Sequence, residues 1–353
     1  MSKFSEIFIL AFLVSAALTP ILRQIAFRLR ILDHPKQHGI HTHPVPRLGG
    51  AAPYLAFVAG SLYRMDLSEA LKGVLVGSTL IFITGLADDL IRLRASLRLA
   101  IQLLACGVMM FKYGVILDVF PNVFLNAFFT TLGIIGLTNA VNFLDNMDGL
   151  AAGLVMISSA AIAVVAHATH QVWLGYLSVA LVGATGGFLV FNIRKAYVFM
   201  GDSGSTFLGF TLASLAVMTE WSYYWPVTFS VSLLILGIPI LDMILITVLR
   251  VKEEKVRNLK QWIDYAGKDH LSHRLARLGL GQRGTVSTLW GLQTVFCVLA
   301  LILLPQKSFA GMLGLAFCLL VTVGTVLFFW HKRTLLLQWK GRASKESYAT
   351  RLG

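Results

Sequence analysis

The feature that most limits what this chain can fold into is its succession of apolar runs, at 5–22, 48–63, 70–87, 99–115, 122–138, 149–168, 172–190, 204–219, 225–249, 285–304 and 309–330. A membrane-crossing helix needs about 20 mostly apolar residues, and a tilted or partly enclosed one needs fewer. Of the 353 residues 56% are hydrophobic and only 13% charged, with a mean hydropathy of +0.74. A soluble domain carries about 25% charged residues, so a single water-soluble globule is excluded. The expectation is an all-α polytopic integral membrane protein with about eleven transmembrane helices. Residues 1–330 form one transmembrane domain and 331–353 a basic tail. Met1–Glu6 is weakly charged, and Pro20 and Arg23 close the first run, which reads as a retained helix rather than a cleaved signal. Cys106, Cys297 and Cys318 lie inside apolar runs without paired or ligand spacing and read as packing residues.

The chain holds 30 Lys+Arg against 17 Asp+Glu, a formal +13. In a soluble protein that excess would point to nucleic acid. Between membrane spans it marks the cytoplasmic side instead. The segments after odd-numbered runs hold 25 of the basic residues, and only Lys3, Arg64, Lys72, Lys112 and Lys307 lie on the other side. The N-terminus is therefore expected outside and the tail in the cytoplasm of a cell (inner or plasma) membrane, with no nucleic-acid partner. The chemically capable clusters, 33–47, 88–89, 139–148, 192–202 and 270–274, all fall on the cytoplasmic side.

Each cluster has a structural reading beside a functional one. Asp88 and Asp89 close an apolar helix, where carboxylates oppose the helix dipole. Arg92 and Arg94 could neutralise them, or the pair could serve as a base or metal ligand. Asn139, Asn142, Asp145 and Asp148, spaced by threes without Lys or Arg, would line one side of a helix. Capping of the next span by Asp148 would explain one of the four. Asp202, in VFMGDSGSTFLGF, precedes a helix start whose free N–H groups suit an anion, with a cap as the bland alternative. His270, His273 and Arg274 suit phosphate better than zinc, because no third ligand accompanies them. A lipid-surface basic loop competes. The segment 33–50 is rich in Pro, Gly and His, including His41 and Arg47. A transporter is the rival class for so many helices, although no internal repeat is visible and the polar clusters sit at one face.

Taken together, His41–Gly50 (HxxPxPRLGG), Gly85–Asp89 (GLADD), Asn139–Ala151 (NAVNFLDNMDGLA), Phe191–Gly209 (FNxxxAxVFMGDSGSxxLG) and Asp269–Leu280 (DHLSHRLxxLGL) resemble the polyprenyl-phosphate N-acetylhexosamine-1-phosphate transferase family. The DHLSHR stretch resembles its undecaprenyl-phosphate GlcNAc-1-phosphate branch. The sibling phospho-MurNAc-pentapeptide translocases carry a triple histidine there that this chain lacks. The resemblance implies a transferase that passes a sugar-1-phosphate from a UDP-sugar to a polyprenyl phosphate lipid and releases UMP, with Mg2+ (or Mn2+) as cofactor. It also leaves room for a homodimer. By the same resemblance Asp88 and Asp89 are catalytic, and Asp202 and Asp89 are metal-holding. His41, Arg47, Asn142, Asp145, Asp148, Asn192, Phe199, His270, His273 and Arg274 are substrate-binding. Three positions depart from the family pattern: His38-Gly39 replaces Arg-Lys, Asn146-Met147 replaces Gly-Ile or Gly-Leu, and Ser272 replaces a second histidine.

Overall fold

A computed structural model describes residues 2–33, 44–63, 68–193, 197–258, 261, 265, 267 and 269–349, with side chains as far as 331. Its helices are α1 Lys3–Arg28, α2 Ala51–Leu62, α3 Glu69–Ile91, α4 Ala95–Tyr113, α5 Val123–Leu144, α6 Leu150–Ala168, α7 Val172–Asn192, α8 Gly201–Met218, α9 Trp225–Ile235, α10 Gly237–Lys252, α11 Leu271–Leu275, α12 Gly281–Leu303 and α13 Ser308–Ala349. Among the described residues eight helices are long and apolar enough to cross a membrane, or nine if the bent pair α9–α10 is one span. The chain is an all-α polytopic membrane protein. All eleven predicted runs fall on helices, yet three differ from an ordinary span: α2 is only 12 residues long, α8 is rich in Gly, Ser and Thr and not among the eight, and the run at 225–249 is divided between α9 and α10.

Polar side chains fix several helix starts. Ser2, Ser68 and Asn122 accept backbone N–H groups at the beginnings of α1, α3 and α5, satisfying donors that helix geometry leaves orphaned. α8 lies at the centre, packed against α3 and α5, and every side chain from Ser203 to Ala216 is buried. Three of its five hydroxyls are satisfied in burial by bonding back along the helix. Ser205 donates to the Gly201 carbonyl (2.8 Å), Thr206 to that of Asp202 (2.5 Å) and Ser214 to that of Phe210 (2.8 Å).

The run at 225–249 is not one straight helix. α9 and α10 meet at 82°, which frees backbone groups that hydrocarbon cannot satisfy. A buried glutamine of α12 closes the gap: Gln293 Oε1 accepts the Ile238 N–H (3.0 Å), and its Nε2 donates to the Ile235 carbonyl (2.7 Å). Ser158 of α6 donates to that same carbonyl (2.7 Å). A two-residue antiparallel pairing of Leu32–Asp33 with Val45–Pro46 pins the ends of the histidine-rich segment. His41 itself lies outside the described residues.

Candidate active site

The C-terminal ends of α3, α5 and α7 and the N-terminal ends of α2, α6 and α8 converge, and their polar motifs touch one another directly. Asp89, last turn of α3, accepts the N–H groups of Asp202 (2.9 Å) and Ser203 (3.0 Å) through its two oxygens. This corrects the expectation of a vacant anion site at the start of α8, because the anion there is the protein's own Asp89. It also explains how a carboxylate is tolerated at a helix C-terminus: it serves the positive end of a second helix. Two glycines make the approach possible. A Cβ on Gly85 would lie 2.5 Å from Ser203 Cα. Gly201 has φ +74°, and a Cβ there would meet Asp89 Oδ2 at 2.6 Å.

Asp88 is buried, and its partner is neither Arg92 nor Arg94, which are exposed. Arg98 of α4 donates to Asp88 Oδ2 at 2.6 Å, and the Leu93 N–H donates to Oδ1 at 2.6 Å. The same Arg98 nitrogen stands 4.0 Å from Asp202 Oδ1, so one guanidinium is shared between the aspartates of two motifs.

Asn142, in the last turn of α5, donates to Asp202 Oδ1 (2.7 Å) and to Ser205 Oγ (2.8 Å). The predicted four-residue helical stripe is cut short, because α5 stops at Leu144 and places Asp145 and Asp148 in a turn. The residue at the start of α6 is Gly149, at φ +76°, and not Asp148. Burial first, then the charges of Asp202, Asp89 and Asp148, push the Asp145 carboxyl well above its ordinary value, with Arg47 opposing them. Carboxyl groups thus crowd the turn, and Asp202, with 28% of its side chain exposed, opens onto solvent. Among the described residues no three His, Cys, Asp or Glu side chains close around one point.

The histidine loop joins the same assembly. The His270 ring lies 5.2 Å from that of Phe143, and Ser272 donates to Asn146 Oδ1 at 2.8 Å. Two positions that depart from the family pattern therefore meet each other. His273 and Arg274 are half-buried. Arg274 Nε donates to the Asp269 carbonyl (2.6 Å), and its guanidinium lies 5.8 Å from the centre of the Phe329 ring. Asn192 is consumed internally, accepting from Gly149 N–H (2.8 Å) and donating to the Val198 carbonyl (3.0 Å). Phe199 joins the 46–50 turn through its backbone, to Pro46 O and from Gly49 N–H. Arg47 stands 3.6 Å from Asp33.

Four residues in this assembly were not singled out from the sequence: Arg98, Asp242, Arg250 and Asp269. Arg250 grips both oxygens of Asp269 (3.0 and 2.7 Å), which holds that carboxyl below its usual value despite the opposing effect of burial. Asp242 was visible as the one carboxylate within the 225–249 run, since an ionisable side chain in an apolar span is costly unless it has a task.

Residues 71–220 match the family described as "Glycosyl transferase family 4". The chain is 33% identical over 306 residues, covering 84% of each chain, to the "Probable undecaprenyl-phosphate N-acetylglucosaminyl 1-phosphate transferase" of Bacillus subtilis. It is 29% identical, covering 83% of this chain and 81% of the other, to the "Decaprenyl-phosphate N-acetylglucosaminephosphotransferase" of Mycobacterium tuberculosis. A "Phospho-N-acetylmuramoyl-pentapeptide-transferase" of Caldicellulosiruptor bescii is 28% identical over 85% of this chain and 96% of its own. With its five motifs joined in one cluster and relatives of this kind matched along most of its length, the chain belongs to glycosyl transferase family 4, the polyprenyl-phosphate N-acetylhexosamine-1-phosphate transferases.

Proposed function

We propose that the protein transfers N-acetylglucosamine-1-phosphate from its UDP-sugar to a polyprenyl phosphate, releasing UMP and making the first lipid-linked intermediate of a cell-envelope polysaccharide. The observation that carries this reading is the unbroken line of contacts from Asp88–Arg98 through Asp89, Asp202 and Asn142 to the turn at Asp145 and the histidine loop. A transporter reading gains nothing from polar residues gathered at one end of the bundle.

Both substrates are anionic, so the site must gather positive charge. Oxygen donors beside a turn crowded with carboxyl groups fit Mg2+, which usually takes one or two protein carboxylates and completes its shell with phosphate and water. Asp202 and Asp89 would hold it, and when bound the ion supplies charge neutralisation that makes UMP a better leaving group. Asp88, steadied by Arg98 and the Leu93 N–H, takes the remaining proton of the lipid phosphate. An oxygen of that phosphate attacks the sugar-bearing phosphorus in line, and the bond from that phosphorus to the UMP oxygen breaks. Asn142 keeps Asp202 in place, Asp145 and Asp148 border the nucleotide side with Phe199 and Asn192, and Arg47, His41, His270, His273 and Arg274 meet the phosphates and sugar. Detergent-solubilised protein given polyprenyl phosphate, Mg2+ and a panel of UDP-sugars should release UMP with UDP-N-acetylglucosamine. No UMP with any sugar would remove the reading.

The catalytic end is assigned to the cytoplasm, with eleven passes, because the 25-to-5 division of Lys and Arg favours that side. In a variant without native cysteines, K3C should react with an impermeant maleimide on right-side-out vesicles of the plasma membrane, and S344C only after lysis. The reverse pattern would invert the topology.

A further inference from the structure

Asp242 is fully buried within α10, where an isolated carboxylate would be expensive. Both of its oxygens are used on the histidine loop. Oδ1 accepts the Leu271 N–H at 2.6 Å, and Oδ2 lies 2.8 Å from His270 Nδ1. A backbone N–H can only donate, so it fixes the plane of the carboxylate and turns the second oxygen toward the ring. Two turns further along α10, buried Arg250 holds Asp269 through both of its oxygens. The adjacent residues Asp269 and His270 are thus held by a single helix, while Phe143 confines the ring from the α5 side.

We infer that Asp242 is a positioning residue that fixes the ring orientation and tautomer of His270, so that Nδ1 carries a proton toward the carboxylate and Nε2 is the nitrogen left for the phosphate-bearing substrate. The inference rests on the transferase reading of this site. A neutral His270 held this way presents a bare Nε2 that can accept a proton or a hydrogen bond, and a protonated one presents an N–H to a phosphate oxygen. An asparagine at 242 can satisfy Leu271 only by turning its NH2 toward Nδ1. That forces the opposite tautomer, or else sets two donors against each other.

The test combines kinetics with spectroscopy on the full-length protein. D242N should lower kcat by about 10²-fold, the low end of what a positioned proton-transfer group contributes. In an H270Q background the same change should cost less than about twofold, because two residues acting as a unit are not additive. Histidine-selective 15N spectra of the wild-type protein at alkaline pH, with the His270 signal identified by its loss in H270Q, should show a protonated Nδ1 and a bare Nε2. Full kcat in D242N, multiplicative losses in the double variant, or a bare Nδ1 at His270 would each overturn the inference. The tautomer measurement needs no folded D242N. It also stands apart from the wild-type reaction, so an inactive wild type would strike the transferase reading, whereas a bare Nδ1 in an active wild type would strike the role of Asp242 alone.

Discussion

Replacing Asp202 by asparagine should reduce turnover by about 10³-fold, the scale of losing one preorganised electrostatic contact in a phosphoryl-transfer site, while the protein melts at its normal temperature. The substitution keeps the shape and most of the bonding. Asn142 can still donate to the remaining side-chain oxygen, the residue's backbone N–H still meets Asp89, and its carbonyl still accepts from Thr206. What disappears is one negative charge, from an aspartate that is partly open to solvent and touched by Asn142, Arg98 and Asp89. Steady-state UMP release across a Mg2+ titration, with a thermal melt alongside, measures both halves of the expectation. Wild-type turnover with an unchanged metal response would show that Asp202 does not hold the cation.

Gly85→Ala should damage the same site from outside it. The new Cβ would face Ser203 Cα at 2.5 Å and the Asp202 carbonyl oxygen at 2.6 Å. Both are backbone atoms, so neither can swing away and α3 must part from α8. Overpacking of this kind costs about 1–3 kcal/mol. Gly85 and Asp89 are four residues apart on one helix face, so the same parting lifts Asp89 from the Asp202 and Ser203 N–H groups. A lower melting temperature together with at least a tenfold loss of turnover is expected. Gly107→Ala, inside α4 where an added Cβ meets nothing within 4 Å, should lower neither, since alanine suits a helix interior better than glycine. A Gly85→Ala protein that melts and turns over like wild type would show that the close approach of α3 to α8 is not what holds Asp89 in place.

The membrane class, the helix positions and the identity of the acidic and histidine motifs were legible in the sequence, because apolar length and charge depletion are local properties. Partnership across the bundle was not. Nothing in GLADD reveals that Asp89 serves the start of α8, because the two lie 113 residues apart. The sequence made Arg92 and Arg94 the natural partners of Asp88, being closest in the chain. A left-handed residue at Arg92 ends α3 and turns the chain so that Arg98 arrives instead. The break in the ninth run was hidden for a related reason: its repair comes from Gln293, an apparently ordinary polar residue of a later span. Asp242 was conspicuous by composition, yet its meaning depended on His270, which α10 and the loop bring together only in three dimensions.

In this reaction phosphorus moves together with the sugar, and an isotopic label follows it. UDP-N-acetylglucosamine labelled with 32P in its β-phosphate, incubated with the purified protein, polyprenyl phosphate and Mg2+, should pass its label into the organic-extractable lipid while unlabelled UMP appears in equal amount. Label that stays in water as UDP while the sugar reaches the lipid would mean that the sugar alone is transferred and that the protein is not a sugar-1-phosphate transferase.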